Sequence, residues 1–272
     1  MSDRTAQPIG VFDSGIGGLT VVRSLLRHLP HENIVYFGDT ARVPYGSKSP
    51  QVVREYALQD AEVLLRYDVK MIVVACNTVS AVALDVVQRR AGANIPVVGV
   101  IAPGAAAAAS ATRNKRIGII GTQGTIASNS YNNAIRAIDP AIEVFGQACP
   151  LFVPLAEEGW TEHKATEMIA REYLFPLVQH KVDTVVLACT HYPILKDVIA
   201  KAVPHTVQLI DSGEATGATV LGLLDSTGLR NPSTLVPNLQ FFVSDIPFKF
   251  AEVGERFLGG RLGRVQRISG LA

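Results

Sequence analysis

Two short segments carry the residues best suited to chemistry. Ala75-Cys76-Asn77-Thr78 and Ala188-Cys189-Thr190-His191 each close an apolar run and open into a stretch with a helical pattern. A thiol with a pKa near ~8.5 moves into the working range beside a helix N-terminus or other donors, so a cysteine in this setting suits proton transfer. A pair suits a particular task. Inverting the α-carbon of an amino acid removes a hydrogen from one face and delivers another to the opposite face, which takes two acid/base groups. Alone, a cysteine that ends a buried strand reads as a small core hydrophobe. The duplicated context, with hydrogen-bonding residues after each thiol, favours a matched pair; Cys149, in GQACPLF, lacks such followers and reads as core.

Other residues could assist. His191 stands two positions after Cys189, close enough to share a face at a strand end and to orient or protonate a ligand. It could equally be a hydrogen-bonded structural histidine or, with Cys189, half of a metal site, though no further ligands stand at recognisable spacing. Asp13 and Ser14 lie in FDSGIGG, at the end of the first apolar run. Gly15-Ile16-Gly17-Gly18 matches neither G-x-x-x-x-G-K-[ST] nor G-x-G-x-x-G, which disfavours nucleotide binding. The loop could instead turn N–H groups toward a carboxylate, and Asp13 could meet an ammonium, support a thiol or simply cap a helix. Asp39 sits in the polar loop FGDTARVPYGSKS, where Pro44-Tyr45-Gly46 is by itself only a turn, and Glu157 could be a surface charge.

The elements that must position these residues alternate. IGVFDSG, NIVYFGDT, MIVVACNT, IPVVGV, RIGIIGT, TVVLACTHYP and VQLIDSG are short apolar runs, each followed by a helical stretch, which means parallel strands with crossover helices and an α/β fold. Ligands gather at the carboxyl ends of such strands. The chain also repeats itself faintly: GVFDSG echoes GIIGTQ from Gly118, and VVACNT from Val73 echoes VLACTH from Val186. Both offsets are about 110 residues, the mark of two related halves. We therefore expect two pseudo-symmetric α/β domains with mainly parallel sheets and the site in the cleft between them. The first would comprise residues 1–99 plus 208–272, and the second 100–207. LQFFVSD, a helix from Pro247 to Leu258 and RVQRI should pair back with the first half.

Composition narrows the partners. The 272 residues are 48% hydrophobic, ample for substantial cores, and the formal net charge of +1 carries no block of like charges. Nothing therefore proposes nucleic acid or an anionic membrane surface as partner, which leaves a small molecule. Three cysteines with no C-x-x-C read as free thiols. The opening MSDRTAQP lacks a basic region followed by an apolar one, and Val97 to Ala111 is too short to span a bilayer and is broken by Pro103 and Gly104. We expect a cytoplasmic chain without membrane spans.

FDSGIGGLTV, YFGDTARVPYGSKS, VVACNTVSA, IGIIGTQGTI, CPLFVPLAEEG and LACTHYPIL stand in the order and spacing of a known family. Together they reach over nearly the whole chain, which resembles the glutamate racemases of the aspartate/glutamate racemase superfamily. The resemblance implies interconversion of L- and D-glutamate without pyridoxal phosphate or metal, supplying D-glutamate for peptidoglycan and so for cell-wall biogenesis and cell shape. It implies that Cys76, assisted by Asp13, takes the α-proton of D-glutamate. Cys189, assisted by His191 and Glu157, takes that of L-glutamate. Glu158 is set aside, because the family's acidic position follows directly on Pro154-Leu155-Ala156. Substrate contacts would fall on Asp13, Ser14, Tyr45, Gly46, Asn77, Thr78, Thr190 and His191, with Thr122 and Thr125 as further candidates. Relatives are commonly homodimers. Three alternatives remain: a relative acting on aspartate, a two-lobed amino-acid binding module, and a zinc site at Cys189 and His191.

Overall fold

The computed structural model describes residues 4–268, and in it the apolar runs become strands and the intervening stretches helices. The order is β1 (Ile9–Asp13), α1 (Leu19–His28), β2 (Ile34–Gly38), α2 (Pro50–Leu65), β3 (Met71–Val74), α3 (Asn77–Val82), α4 (Leu84–Ala91), β4 (Val97–Gly99) and α5 (Ile101–Ala111). There follow β5 (Arg116–Gly121), α6 (Gln123–Ala127), α7 (Ser130–Ile138), β6 (Glu143–Ala148), α8 (Phe152–Glu157), α9 (Lys164–Gln179), β7 (Thr184–Ala188) and α10 (Lys196–Lys201). The chain continues through β8 (Gln208–Asp211), α11 (Ser212–Thr227), β9 (Leu239–Val243), α12 (Pro247–Leu258) and β10 (Val265–Arg267).

Two sheets result, with strand orders β10-β9-β2-β1-β3-β4 and β6-β5-β7-β8, and every neighbouring pair is parallel. β1, β2, β3 and β7 are buried along their whole length, which is why they read as unbroken apolar runs and not as alternation. The segment β2-β1-β3-β4 matches β6-β5-β7-β8 strand for strand, so the echo in the sequence is an echo in topology. β9 and β10 extend the first sheet beyond β2.

β8 lies elsewhere than expected. It pairs with β7, so the second sheet runs to Asp211, past the boundary at residue 207 set from the sequence. An apolar run such as VQLI can edge either sheet, and only its partner decides which. The second sheet also gains β6, a half-exposed edge strand too polar to stand out among the apolar runs.

One hydrophobic cluster unites the two lobes. It holds Val11 and Ile9 of β1 and Leu25 of α1 together with Leu187 of β7, Phe152 of α8 and Val220 of α11. α5 carries the chain out of the first lobe and α11 carries it back, and these two connectors pack on each other. α11 is well delimited: Asp211 accepts hydrogen bonds from the N–H groups of Gly213 and Glu214, and Gly228 ends it at φ +67°. Among the described residues no helix is long and apolar enough to cross a membrane.

Candidate active site

Parallel pairing places the reactive residues. β1 and β3 run side by side, with Ala75 N–H donating to the Phe12 carbonyl, so Asp13 and Cys76 emerge at adjacent strand ends. In the second lobe β5 and β7 pair in the same way and bring out Thr122 beside Cys189. Between the lobes lies a cavity of about 200 Å³. Cys76, Asn77, Thr78, Ser14, Tyr45 and Gly46 form its wall from the first lobe, and Cys189, Thr190, His191, Glu157 and Thr122 from the second. Both thiols are nearly closed off from solvent, at 5% exposure for Cys76 and 6% for Cys189.

Asp13 lies behind this wall, fully buried. Its Oδ2 accepts from Gly15 N–H at 3.1 Å and Gly18 N–H at 3.0 Å, whereas its Oδ1 is buried without a hydrogen-bond partner. Burial pushes this carboxyl upward, against the charge of His191 and the loop N–H groups. The glycine-rich loop thus does turn N–H groups to a carboxylate, and that carboxylate is its own Asp13. A Cβ on Gly18 would lie 2.5 Å from Asp13 Cβ, which is why glycine stands there.

Tyr45 and Gly46 are held by a buried polar cluster. The Tyr45 hydroxyl meets both Asp39 and Asp60, Arg42 ion-pairs with both carboxyls, and Ser244 donates to Asp39 Oδ1 at 2.8 Å. Burial and then the neighbouring Asp39 push the Asp60 carboxyl well above the usual carboxylate range. Asp39 therefore braces the loop and does not line the cavity. On the far side of the cleft, Thr78 Oγ1 lies 2.9 Å from Thr122 Oγ1 and 3.3 Å from Thr125 Oγ1, a hydroxyl cluster joining the lobes.

Residues 9–219 match the family described as Asp/Glu/Hydantoin racemase. The chain belongs to that family. A glutamate racemase of Geobacter metallireducens is 52% identical, with 96% of each chain covered. Among solved structures, glutamate racemase of Francisella tularensis subsp. tularensis SCHU S4 in complex with D-glutamate is 42% identical, with 98% of each chain covered and a TM-score of 0.91. The RacE1 isoform of Bacillus anthracis glutamate racemase is 37% identical over 97% of this chain and 98% of that one, with a TM-score of 0.93.

In this racemase-family chain the two thiols have different surroundings. Cys76 Sγ lies 3.7 Å from Ser14 Oγ; burial, reinforced by the Asp13 charge, pushes the thiol up to about 12. Cys189 Sγ lies 3.9 Å from His191 Nδ1, and His191 Nε2 lies 2.9 Å from Glu157 Oε1. The Phe257 ring of α12 packs edge-on against the His191 ring at 5.3 Å. Burial depresses His191, but the hydrogen bonds to Cys189 and Glu157 outweigh it and raise it to about 10. The ring is then an imidazolium through neutral pH and loses its proton only as pH rises through about 10. Glu157→Gln removes one raising partner. The alkaline limb of kcat/KM should therefore move to lower pH by about one unit or more, as read from a pH–rate profile. An unmoved limb would show that Glu157 does not act through His191.

Several contributors were invisible in the sequence. Asp60 sits inside α2 like any helical acid, and Tyr131 and Ser212 lie far along the chain from Asn77, which they contact. One signal was available: Asp211-Ser212-Gly213 after β8 repeats Asp13-Ser14-Gly15 after β1. Cys149 is fully buried, with Sγ 3.6 Å from the Gln147 carbonyl. Among the described residues no group of three or more His, Cys, Asp or Glu side chains is placed to hold a metal.

Proposed function

We propose that this chain interconverts L- and D-glutamate by two-base proton transfer, with Cys76 acting on D-glutamate and Cys189 on L-glutamate. The observation that carries the reading is that two thiols, one from each pseudo-symmetric lobe, line one cavity of amino-acid size. Abstraction of the α-proton by one thiolate leaves a carbanion that the opposite thiol reprotonates, so each turnover ends with the proton exchanged between sides. The negative charge that develops at the α-carboxylate is met by the cavity-lining donors Ser14, Asn77, Thr78 and Thr190. Fixed donors of this kind lower the barrier most where water is excluded.

Asp13 and His191 supply the differing support. Cys76 must lose its proton before it can act as a base, and Asp13, electrostatically coupled to it and carrying a buried Oδ1 with no hydrogen-bond partner, is the acceptor we assign to that proton. His191, cationic and buttressed by Glu157, balances negative charge near Cys189. The chemistry so assigned calls on neither pyridoxal phosphate nor metal. Its product, D-glutamate, would serve peptidoglycan synthesis, and we place the enzyme, on the resemblance, in the cytoplasm as a homodimer.

Turnover of L-glutamate and L-aspartate, followed by circular dichroism and by α-deuterium incorporation in deuterated water with chelator present, tests the reading. Glutamate should racemise with rapid deuterium uptake. Faster aspartate turnover would reassign the substrate, absence of exchange would favour a binding module, and loss of activity in chelator would favour the metal site.

A further inference from the structure

Asn77 directly follows Cys76, lines the cavity and is 3% exposed. A primary amide offers a donor on one side and an acceptor on the other, and half a turn of the side chain exchanges them with little steric consequence. What Asn77 shows the cleft is therefore set by its partners. Those partners come from the other lobe and from the returning connector: Tyr131 on α7, whose Oη is 2.8 Å from Asn77 Oδ1, and Ser212 at the start of α11, whose Oγ is 3.5 Å from Asn77 Nδ2.

The direction of donation follows from the last member of the chain. Ser212 Oγ donates to the Leu187 carbonyl at 3.1 Å, an acceptor only, and also lies within hydrogen-bonding reach of the Tyr131 phenol. Ser212 then has only lone pairs for Asn77, which must turn its NH2 toward the serine. The amide oxygen is left facing Tyr131, which must donate. Burial pushes the Tyr131 phenol upward, so it keeps the hydrogen it donates. Donation therefore runs one way, from Tyr131 through Asn77 and Ser212 to Leu187 on β7, the strand that carries Cys189. The second amide N–H of Asn77 is not used by this chain of hydrogen bonds. Room for the crossing depends on Gly104 of α5, where a Cβ would lie 3.1 Å from Tyr131 Oη and 3.2 Å from Ser212 Cβ.

We propose that Tyr131 is a positioning residue for the racemase reaction: it locks the Asn77 amide with an N–H toward the cleft, where that N–H holds a substrate carboxylate beside Cys76. The proposal rests on the reading of the preceding section. Without the hydroxyl only the 3.5 Å contact to Ser212 holds that orientation, so the amide turns its oxygen toward that carboxylate more readily. Both enantiomers place a carboxylate in the same cleft, so both should bind less well.

Tyr131→Phe removes a single oxygen and tests this. In the full-length variant, KM for each enantiomer and the calorimetric Kd for glutamate should rise about tenfold, with kcat changed less than about threefold, the loss expected of one buried hydrogen bond that orients a charged contact. In the Asn77→Ala background the same substitution should add nothing further, because the group it orients is gone. Unchanged KM and Kd, even with a lowered Tm, would overturn the proposal, as would an effect that adds in full on Asn77→Ala. Wild-type turnover in the same assay keeps the two readings apart. An inactive wild type would refute racemisation, whereas an active wild type with an unaltered Tyr131→Phe variant would refute only the positioning role.

Discussion

Cys76→Ala and Cys189→Ala should each lower glutamate racemisation by about 10³-fold or more, since a positioned acid/base group contributes roughly 10²–10⁴-fold and neither direction can finish without both thiols. Deuterium exchange should divide the two variants. With Cys76 gone, the thiol assigned to the L face can still remove and restore a hydrogen on that face, so L-glutamate would exchange without inverting while D-glutamate stays inert. Cys189→Ala should show the mirror pattern. Losing one buried sulfur costs only about 1 kcal/mol of packing, so both variants should fold. Polarimetry together with proton NMR in deuterated water reads both outcomes. Racemisation within tenfold of wild type in either variant would end the two-base assignment.

Gly17→Ala should be nearly as damaging, although it adds one methyl group and touches no thiol. A Cβ at this position would lie 2.2 Å from Thr190 Oγ1 and 2.5 Å from His191 Nδ1, both across the lobe boundary and both on residues that line the cavity. Thr20 reinforces the same contact by donating to the Thr190 carbonyl at 2.9 Å. Gly17 is not among the positive-φ glycines, so alanine suits its backbone and the penalty is the collision alone. Displacing His191 by even an ångström should reduce kcat/KM by about 10²-fold. Gly222→Ala on α11, where nothing lies within 4 Å of the added Cβ, is the matched control and should behave as wild type. A Gly17→Ala enzyme with unaltered kcat/KM would show that the lobes do not need this approach.

Legibility in the sequence divides along physical lines. β1, β2, β3, β5 and β7 were readable because strands buried on both faces are apolar without interruption, and the residues at their ends, Cys76 and Cys189 among them, follow from chain order alone. β6 was not, since an edge strand that is half exposed reads as EVFGQA. The membership of β8 was not, since apolarity says that a strand is covered and not which neighbour it pairs with. The glycines of FDSGIGG were visible, but their purpose lay in what approaches them: Asp13 at Gly18, and Thr190 with His191 at Gly17. Tyr131, Asp60 and Ser212 escaped for a related reason. Tyr131 and Ser212 act on Asn77 across a fold boundary, and Asp60 acts on a loop 15 or more residues before it, and no local pattern announces such contacts.

The matching strand order of the two halves bears on kinetics in both directions. Mirror-image molecules have equal free energies in water, so their equilibrium ratio is one, and kcat/KM for the L enantiomer must equal that for the D enantiomer whatever the protein does. A duplicated scaffold meets this symmetry with a thiol at the same topological point of each half. The unlike supports, a buried Asp13 on one side and a His191–Glu157 pair on the other, can then adjust how tightly each enantiomer is held and how fast it leaves, but only in compensating amounts. Divergence between the halves is free to tune the enzyme to whichever enantiomer is abundant, while thermodynamics holds the two efficiencies equal.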